Sequence, residues 1–321
     1  MRNLYDIRLD KSFRTAPVLA LTPHSRIVLI SDCHRGVGNS NDNFLKNQHL
    51  YFAALQSYYK LGFTYIELGD GDELWENRSL TAIREIHGNV FWLLSLFASE
   101  GRLYQLYGNH DHVLKGSSEM PHLEGLILKV CDFGTQAPCL EFYLTHGHQA
   151  DMLNSTLWRL SRFLVRYLWK PLEQMGVLDP TSAARNYKRR SQSEKRLSHW
   201  AIHHNCYLIT GHTHRPALGN NTTHYFNTGS CVHPRCITCL EIGNGAITLV
   251  KWSMETRPDN SLYVARTPLA GPLPLLNWAL LLPDLPRCYA GIFLKYAAKI
   301  IDITKACLCR NLLHGIEARH Q

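Results

Sequence analysis

Short apolar runs alternate with longer periodic stretches along the first two thirds of the chain. RIVLI at 26–30 has the length and β-branched content of a buried strand. Gln48 to Leu61 carries helical spacing, and TYIEL at 64–68 reads as the next strand. Ser79 to Ser99 reads as helix, LYQLY at 103–107 as strand and LEFYLT at 140–145 as strand. Leu197 to Asn205 is helical, and YLIT at 207–210 is a strand. The pattern then turns mostly β, through Tyr225–Asn227, Thr238–Ile242 and Ala246–Trp252, with a turn at Gly243-Asn244-Gly245. Alternation followed by β runs predicts an α/β sandwich. Two stretches interrupt it. Residues 152–196 are helical, aromatic and basic, and are expected to form an insertion. Residues 270–321 open rich in proline and end in a helical pattern, as a C-terminal extension would. The expected division is a main domain over 1–269 and a helical extension over 270–321.

Composition narrows the class. An apolar fraction of 45% in 321 residues supports a sizeable core and excludes intrinsic disorder. A formal charge of +8 favours anionic partners: phosphorylated metabolites, nucleic acid or an acidic membrane surface. Histidine is unusually frequent, at 18 residues, and imidazole is a common metal ligand and general acid or base. The ten cysteines form no dense framework, and the charged start MRNLYDIRLDK lacks the apolar core of a signal peptide. Both features point to a reducing, cytoplasmic setting. The longest charge-free run, Thr267 to Pro283, holds four prolines and falls short of the ~20 residues of a membrane span.

Five short motifs share one placement, each directly after an apolar strand. They are Ser31-Asp32-Cys33-His34, Gly69-Asp70-Gly71-Asp72-Glu73, Gly108-Asn109-His110-Asp111, His146-Gly147-His148 and Gly211-His212-Thr213-His214. Ligands bind beyond the carboxyl ends of strands in open α/β sheets, where loops bring distant parts of a chain together. A lone Asp-x-His or Gly-Asp at a strand end is ordinarily a turn or a cap, but five such motifs in series are not. Carboxylate, amide and imidazole donors without thiolate suit Mn, Fe or Zn. Asp32, His34, Asp70, Asn109, His146, His212 and His214 exceed the roughly four ligands of one tetrahedral ion. They suit two ions about 3.5–4 Å apart, as in phosphoester cleavage.

The order D-x-H, GD, GNHD, H-G-H, G-H-x-H resembles the calcineurin-like metallophosphoesterase superfamily over about residues 26 to 252. GHTHRP at 211–216, NTGS at 227–230 and the aromatic insertion are similar to the branch containing UDP-2,3-diacylglucosamine pyrophosphatases. Where that branch carries Arg in its third motif, this chain has His110. The resemblance implies a four-layer α/β-β/α sandwich. It implies that Asp32, His34 and His214 bind one divalent ion, that Asn109, His146 and His212 bind another, and that Asp70 bridges them. Gly71-Asp72 offers a rival register for the bridge. Manganese is the expected metal, with iron and zinc as alternatives, and a bridging hydroxide is the expected nucleophile. His110 is expected to act as catalytic acid or phosphate contact, oriented by Asp111.

Other positions divide between functional and ordinary readings. Arg35 and His148 are candidate substrate contacts; a surface arginine and a supporting histidine are the plain alternatives. Cys231, His233, Cys236 and Cys239 invite a zinc reading, but their spacing is not a paired CxxC, and buried thiols are expected. In LWRLSRFLVRYLWKPL (157–172), Arg159, Arg162, Arg166 and Lys170 recur on one helical face among aromatic and leucine side chains. Arg159, Arg162 and Arg166 are expected to hold anionic groups there, with Arg159 and Arg162 as the candidate substrate contacts. Such a helix can seat an acyl chain, lie on a membrane or simply pack on the domain. The cluster Lys188-Arg189-Arg190 with Lys195-Arg196 is a solvated run by default. The expected partner is a phosphorylated small molecule, such as a nucleotide sugar, or a lipid-linked diphosphate, with peripheral contact at the inner membrane surface also open. A nuclease or phosphodiesterase on nucleic acid ranks lower, because no nucleic-acid module is visible. A serine/threonine phosphoprotein phosphatase and a catalytically silent scaffold complete the alternatives.

Overall fold

In the computed structural model, which describes residues 3–116, 121–131, 139–169, 187–220 and 222–275, twelve strands form two sheets. The larger sheet contains β2 (Ile27–Ile30), β3 (Thr64–Leu68), β4 (Leu103–Leu106), β5 (His122–Leu123), β10 (Cys236–Gly243), β11 (Ala246–Thr256) and β12 (Leu262–Pro274). Its order is β12-β11-β10-β2-β3-β4-β5, parallel from β2 to β5 and antiparallel from β2 to β12. The smaller sheet runs β1 (Val18–Leu21), β6 (Leu126–Val130), β7 (Leu140–Leu144), β8 (Tyr207–Thr210) and β9 (Tyr225–Asn227).

Each sheet is covered by helices on one face. On the larger sheet, α2 (Gln48–Lys60) and α4 (Gly88–Ser99) contribute Tyr51, Leu55, Tyr58, Leu94 and Phe97 to a core shared with Val28, Ile30, Tyr65, Ile237 and Cys239. On the smaller sheet, α1 (Leu4–Phe13) and the Tyr187–His203 helix supply Leu9, Leu197, Trp200 and Ala201 against Leu208 and Tyr225. Alternation leaves Ile27, Leu29, Ile66 and Leu68 on the opposite face of the larger sheet, and Phe142, Leu144 and Ile209 on that of the smaller one, all buried. Parallel strands buried on both faces account for near-continuous apolar runs such as IVLI. The four-layer α/β-β/α architecture expected from the sequence is the one observed.

Some elements depart from the sequence pattern. The single helix expected over 79–99 is two, α3 (Leu80–Ile86) and α4, broken at His87. His87 is buried, and its ring bonds Asp42 at 3.0 Å and Gln48 at 3.2 Å, a pull no periodicity shows. Strand β12 continues to Pro274, so the first residues assigned to an extension complete the sheet edge; residues 276–321 lie outside those described. An edge strand tolerates proline because part of its backbone pairs with nothing. The insertion is broken too: α5 (Met152–Ser155) precedes α6 (Trp158–Leu164), which continues as π-helix over Val165–Trp169. Lys170 lies outside the described residues.

The cysteines also differ from expectation in one respect. Cys131 and Cys139 form a disulfide, with their Cα atoms 4.3 Å apart. Antiparallel pairing of Val130 with Leu140 places the two residues side by side, which the spacing of eight conceals until the register is known. Cys231 and Cys239 are buried thiols in the core, as expected. His233 donates to the His214 carbonyl at 2.7 Å, which supports the fifth motif and not a zinc site.

Arg35 corrects a functional expectation. It is fully buried, with its guanidinium bonded twice to Glu67 at 2.7 and 3.0 Å and to Asp72 at 2.7 Å. No face is left for substrate. The same contact removes Asp72 from the rival bridging register. Burial alone would raise the Glu67 pKa, but Arg35 outweighs it and lowers it from 4.5 to about 2. A depressed carboxylate pKa stabilises the fold above pH 4.5, and that stability is lost as pH falls through about 2. Glu67→Ala is expected to cost about 3–5 kcal/mol, because it leaves both Nη groups of a buried guanidinium without their carboxylate and Asp72 alone to balance the charge. Urea unfolding at neutral pH checks this; a cost under about 1 kcal/mol would show the pair to be dispensable.

Candidate metal centre

All five motifs leave carboxyl ends of strands: β2, β3 and β4 of the larger sheet, and β7 and β8 of the smaller one. The two sheets meet here. The His146 ring N–H donates from Nδ1 to the Leu68 carbonyl at 2.8 Å, and the hydroxyls of Ser31 and Thr228 lie 2.6 Å apart. Close approach explains the glycines. A Cβ on Gly211 would lie 2.2 Å from the Ser31 hydroxyl, and one on Gly108 would lie 2.1 Å from an Asp70 oxygen. Five candidate ligands are themselves left-handed: Asp32, His34, Asp70, His212 and His214, with φ between 50° and 65°. Aspartate and histidine tolerate this region better than most side chains, yet such clustering marks a functional loop set.

The two aspartates divide their oxygens in the same way. Asp32 accepts the His212 backbone N–H at 2.9 Å and the Ser31 hydroxyl on Oδ2. Its Oδ1 has no hydrogen bond and lies 3.1 Å from His214 Nε2 and 3.8 Å from His34 Nε2. Asp70 accepts the His110 backbone N–H on Oδ1 at 2.8 Å. Its Oδ2 lies 3.0 Å from His146 Nε2 and 3.9 Å from His34 Nε2. Asn109 Oδ1 and His146 Nε2 are buried without a hydrogen bond. Orphaned buried polar atoms are costly, and two of them, Asp32 Oδ1 and His146 Nε2, lie 4.0 Å apart, an arrangement that calls for a cation. These residues therefore fit divalent ions. The donor atoms fall into overlapping groups: Asp32, His34 and His214; Asp70, His146 and His212; and His34, Asp70 and His110. Asp70 shares a group with His34 and another with His146, as a bridging carboxylate should.

The electrostatics are strongly acidic. Burial disfavours imidazolium at His146, but Asp70 and Asp32 prevail and raise its pKa to about 9. Burial likewise opposes charge on His110, and the Glu73 and Asp70 carboxylates outweigh it, raising its pKa. His148, buried against His146 and His212, is instead held neutral, its pKa lowered first by burial and then by those two rings.

His110 is oriented differently from expectation. Asp111 does not touch its ring: the carboxylate accepts the backbone N–H groups of Gly71 at 2.8 Å and Gly108 at 2.6 Å, holding two motif loops together. Burial, then Asp70, raises Asp111 to about 6. The orienting carboxylate is Glu73, which receives Nδ1–H of His110 and of His34, each at 2.8 Å. Burial works against its charge, yet His110 and His34 hold its pKa well below the usual range, so it accepts both bonds. The sequence places Glu73 in the second motif but gives no sign that it spans two other loops. Trp75 likewise carries no signal in the sequence; its ring stacks on His110 at 4.4 Å.

The remaining candidates scatter. His148 is buried beside His146, ring centres 5.6 Å apart, and its Nδ1 has no hydrogen bond. Arg159 and Arg162 lie over the Trp158 ring, which tilts against His112 with ring centres 4.8 Å apart, two residues beyond His110. Arg189, from the basic cluster, bonds Asp151 at 3.0 Å, and Asp151 lies 3.9 Å from His212 Nε2. Among the described residues no helix is long and apolar enough to cross a membrane.

No family model and no curated protein matches the chain. Among solved structures it is similar to Vps29 of Chaetomium thermophilum, at 11% identity and a TM-score of 0.35, over 76% of this chain and 96% of that one. It is also similar to the same protein complexed with the RaPID-derived cyclic peptide RT-D3, at 10% identity and a TM-score of 0.33, over 77% and 97% of the two chains.

Proposed function

We propose that the chain is a metal-dependent phosphoester or pyrophosphate hydrolase. The observation that carries this is the convergence of the unpaired Asp32 Oδ1 and His146 Nε2, 4.0 Å apart, with donor atoms of His34, Asp70, His212 and His214. Asp32, His34 and His214 would hold one divalent ion, and Asn109, His146 and His212 a second, with Asp70 shared. Bound there, such ions supply charge stabilisation to a phosphoryl group and acidify water. The chain's own part falls to His110. Glu73 accepts its Nδ1–H and, with Asp70, favours the imidazolium, whose Nε2–H can then pass to a departing oxygen and leave the ring neutral. The intact donor set and this His110–Glu73 pair favour catalysis over a silent scaffold. Assay with added Mn²⁺ on bis-p-nitrophenyl phosphate, p-nitrophenyl phosphate, UDP-sugars, single-stranded DNA and a phosphopeptide tests the reading and separates its rivals. No hydrolysis of any of them with Mn²⁺, Fe²⁺ or Zn²⁺ would overturn it.

A lipid-linked diphosphate is the substrate we favour. Leu160, Phe163, Tyr167 and Leu168 are all exposed on the insertion, beside Arg159 and Arg162. Each large apolar side chain buried against an acyl chain contributes about 1.5–3 kcal/mol. Trp158→Ser with Phe163→Ser is therefore expected to raise KM for an acylated diphosphate about tenfold or more, while a small chromogenic diester is cleaved as by wild type. Equal kinetics on both substrates would leave the helix a packing element.

A further inference from the structure

Arg166 was expected to face solvent or anionic substrate with Arg159 and Arg162. Instead its guanidinium reaches back into the main domain. Nε donates to the Trp75 carbonyl at 2.8 Å, and an Nη donates to the Leu74 carbonyl at 2.9 Å and the Asn77 carbonyl at 3.3 Å. One residue further, the Tyr167 hydroxyl accepts from Arg78 at 2.8 Å. The segment gripped in this way, Leu74 to Arg78, directly follows Glu73. It contains Trp75 and adjoins Glu73, the two groups that fix the His110 ring: the Glu73 carboxylate at 2.8 Å and the Trp75 face at 4.4 Å. Trp75 and Glu73 are buried, whereas the helix that carries Arg166 buries no side chain fully.

We propose that Arg166 is a positioning residue that ties the insertion helix to the His110 ring, through the backbone of residues 74–77 and the side chains of Trp75 and Glu73. Three carbonyls are served here from two nitrogens of one planar fork; lysine, whose three N–H groups radiate from a single nitrogen, cannot span them in that geometry. A ring displaced by even 1 Å loses much of its effectiveness in proton transfer. The position of the insertion helix therefore sets how well His110 is aimed, and whatever occupies its exposed apolar face can change turnover as well as binding. The kinetic part of this inference rests on the reading of His110 as the acid; the structural part does not.

The test is carried out on the full chain with ¹³C-labelled histidine. The His110 ring signal is identified by its loss in His110→Gln, and its ring-current shift from Trp75 by comparison with Trp75→Leu. Arg166→Ala is expected to move the His110 signal toward its position in Trp75→Leu. On a small chromogenic diester it is expected to lower kcat about tenfold with KM unchanged. Arg166→Lys should fall between Arg166→Ala and wild type on both readouts, and serves as the deciding variant if Arg166→Ala does not fold. A His110 signal that stays in place in the folded variants overturns the proposal. So does a kcat equal to wild type. A wild-type chain that hydrolyses nothing, with the His110 signal still moved by Arg166→Ala, would sink the hydrolase reading and leave the clamp standing.

Discussion

His110→Ala is expected to lower kcat by about 10²–10⁴-fold, the range for loss of a general acid, with metal content unchanged. Geometry makes the partner test sharper. Glu73 receives the ring Nδ1–H, whereas Asp111 binds only backbone N–H groups. Glu73→Gln should therefore reproduce part of the kcat loss. Asp111→Asn should act mainly on stability, because it weakens the bond between two loops. His110 also shares a donor group with His34 and Asp70. If His110→Ala loses a metal ion along with its activity, the residue is a ligand and its role as acid is wrong.

The second large effect is expected at Asp70. Its Oδ2 faces His146 at 3.0 Å and His34 at 3.9 Å, on the two sides of the proposed centre. Asp70→Asn should bring bound metal from about two ions per chain to fewer than one, and activity should fall with it. Asn109→Ala, which removes a ligand proposed for one ion alone, should remove no more than one. Elemental analysis of the purified chains decides between them. Two ions retained by Asp70→Asn would show that the carboxylate bridges nothing.

Much of the centre was legible because its donors follow strands, and strand periodicity is local. IVLI, TYIEL and YLIT announce themselves, and the residue after each has little choice of direction. What stayed hidden depends on pairing across the fold. Arg35 stands beside a motif and carries a charge, so it looks like a substrate contact; only the parallel neighbour β3 reveals Glu67 as its partner. Asp111 adjoins His110 in sequence but points the other way, and Glu73 reaches the ring from a different strand's loop. The Cys131–Cys139 bridge follows from the register of β6 and β7. Arg166 shares a helical period with Arg159 and Arg162, yet a π-helical segment begins at Val165 just before it. Periodicity assumes an unbroken helix and assigns all three residues one role.

The left-handed backbone at Asp32, His34, Asp70, His212 and His214 limits which sequence changes can separate chemistry from architecture. Alanine there removes a donor and also the local polar contacts that help aspartate and histidine hold this backbone, so it strains the loop further. Asparagine accepts the conformation and keeps a polar side chain of similar size. A lineage of such chains drifting away from metal chemistry would therefore do so most easily through asparagine or glycine, retaining both sheets and the loop paths. Sequences that carry Asn at 32 or 70 within otherwise intact motifs would be the natural place to find this fold reused for binding alone.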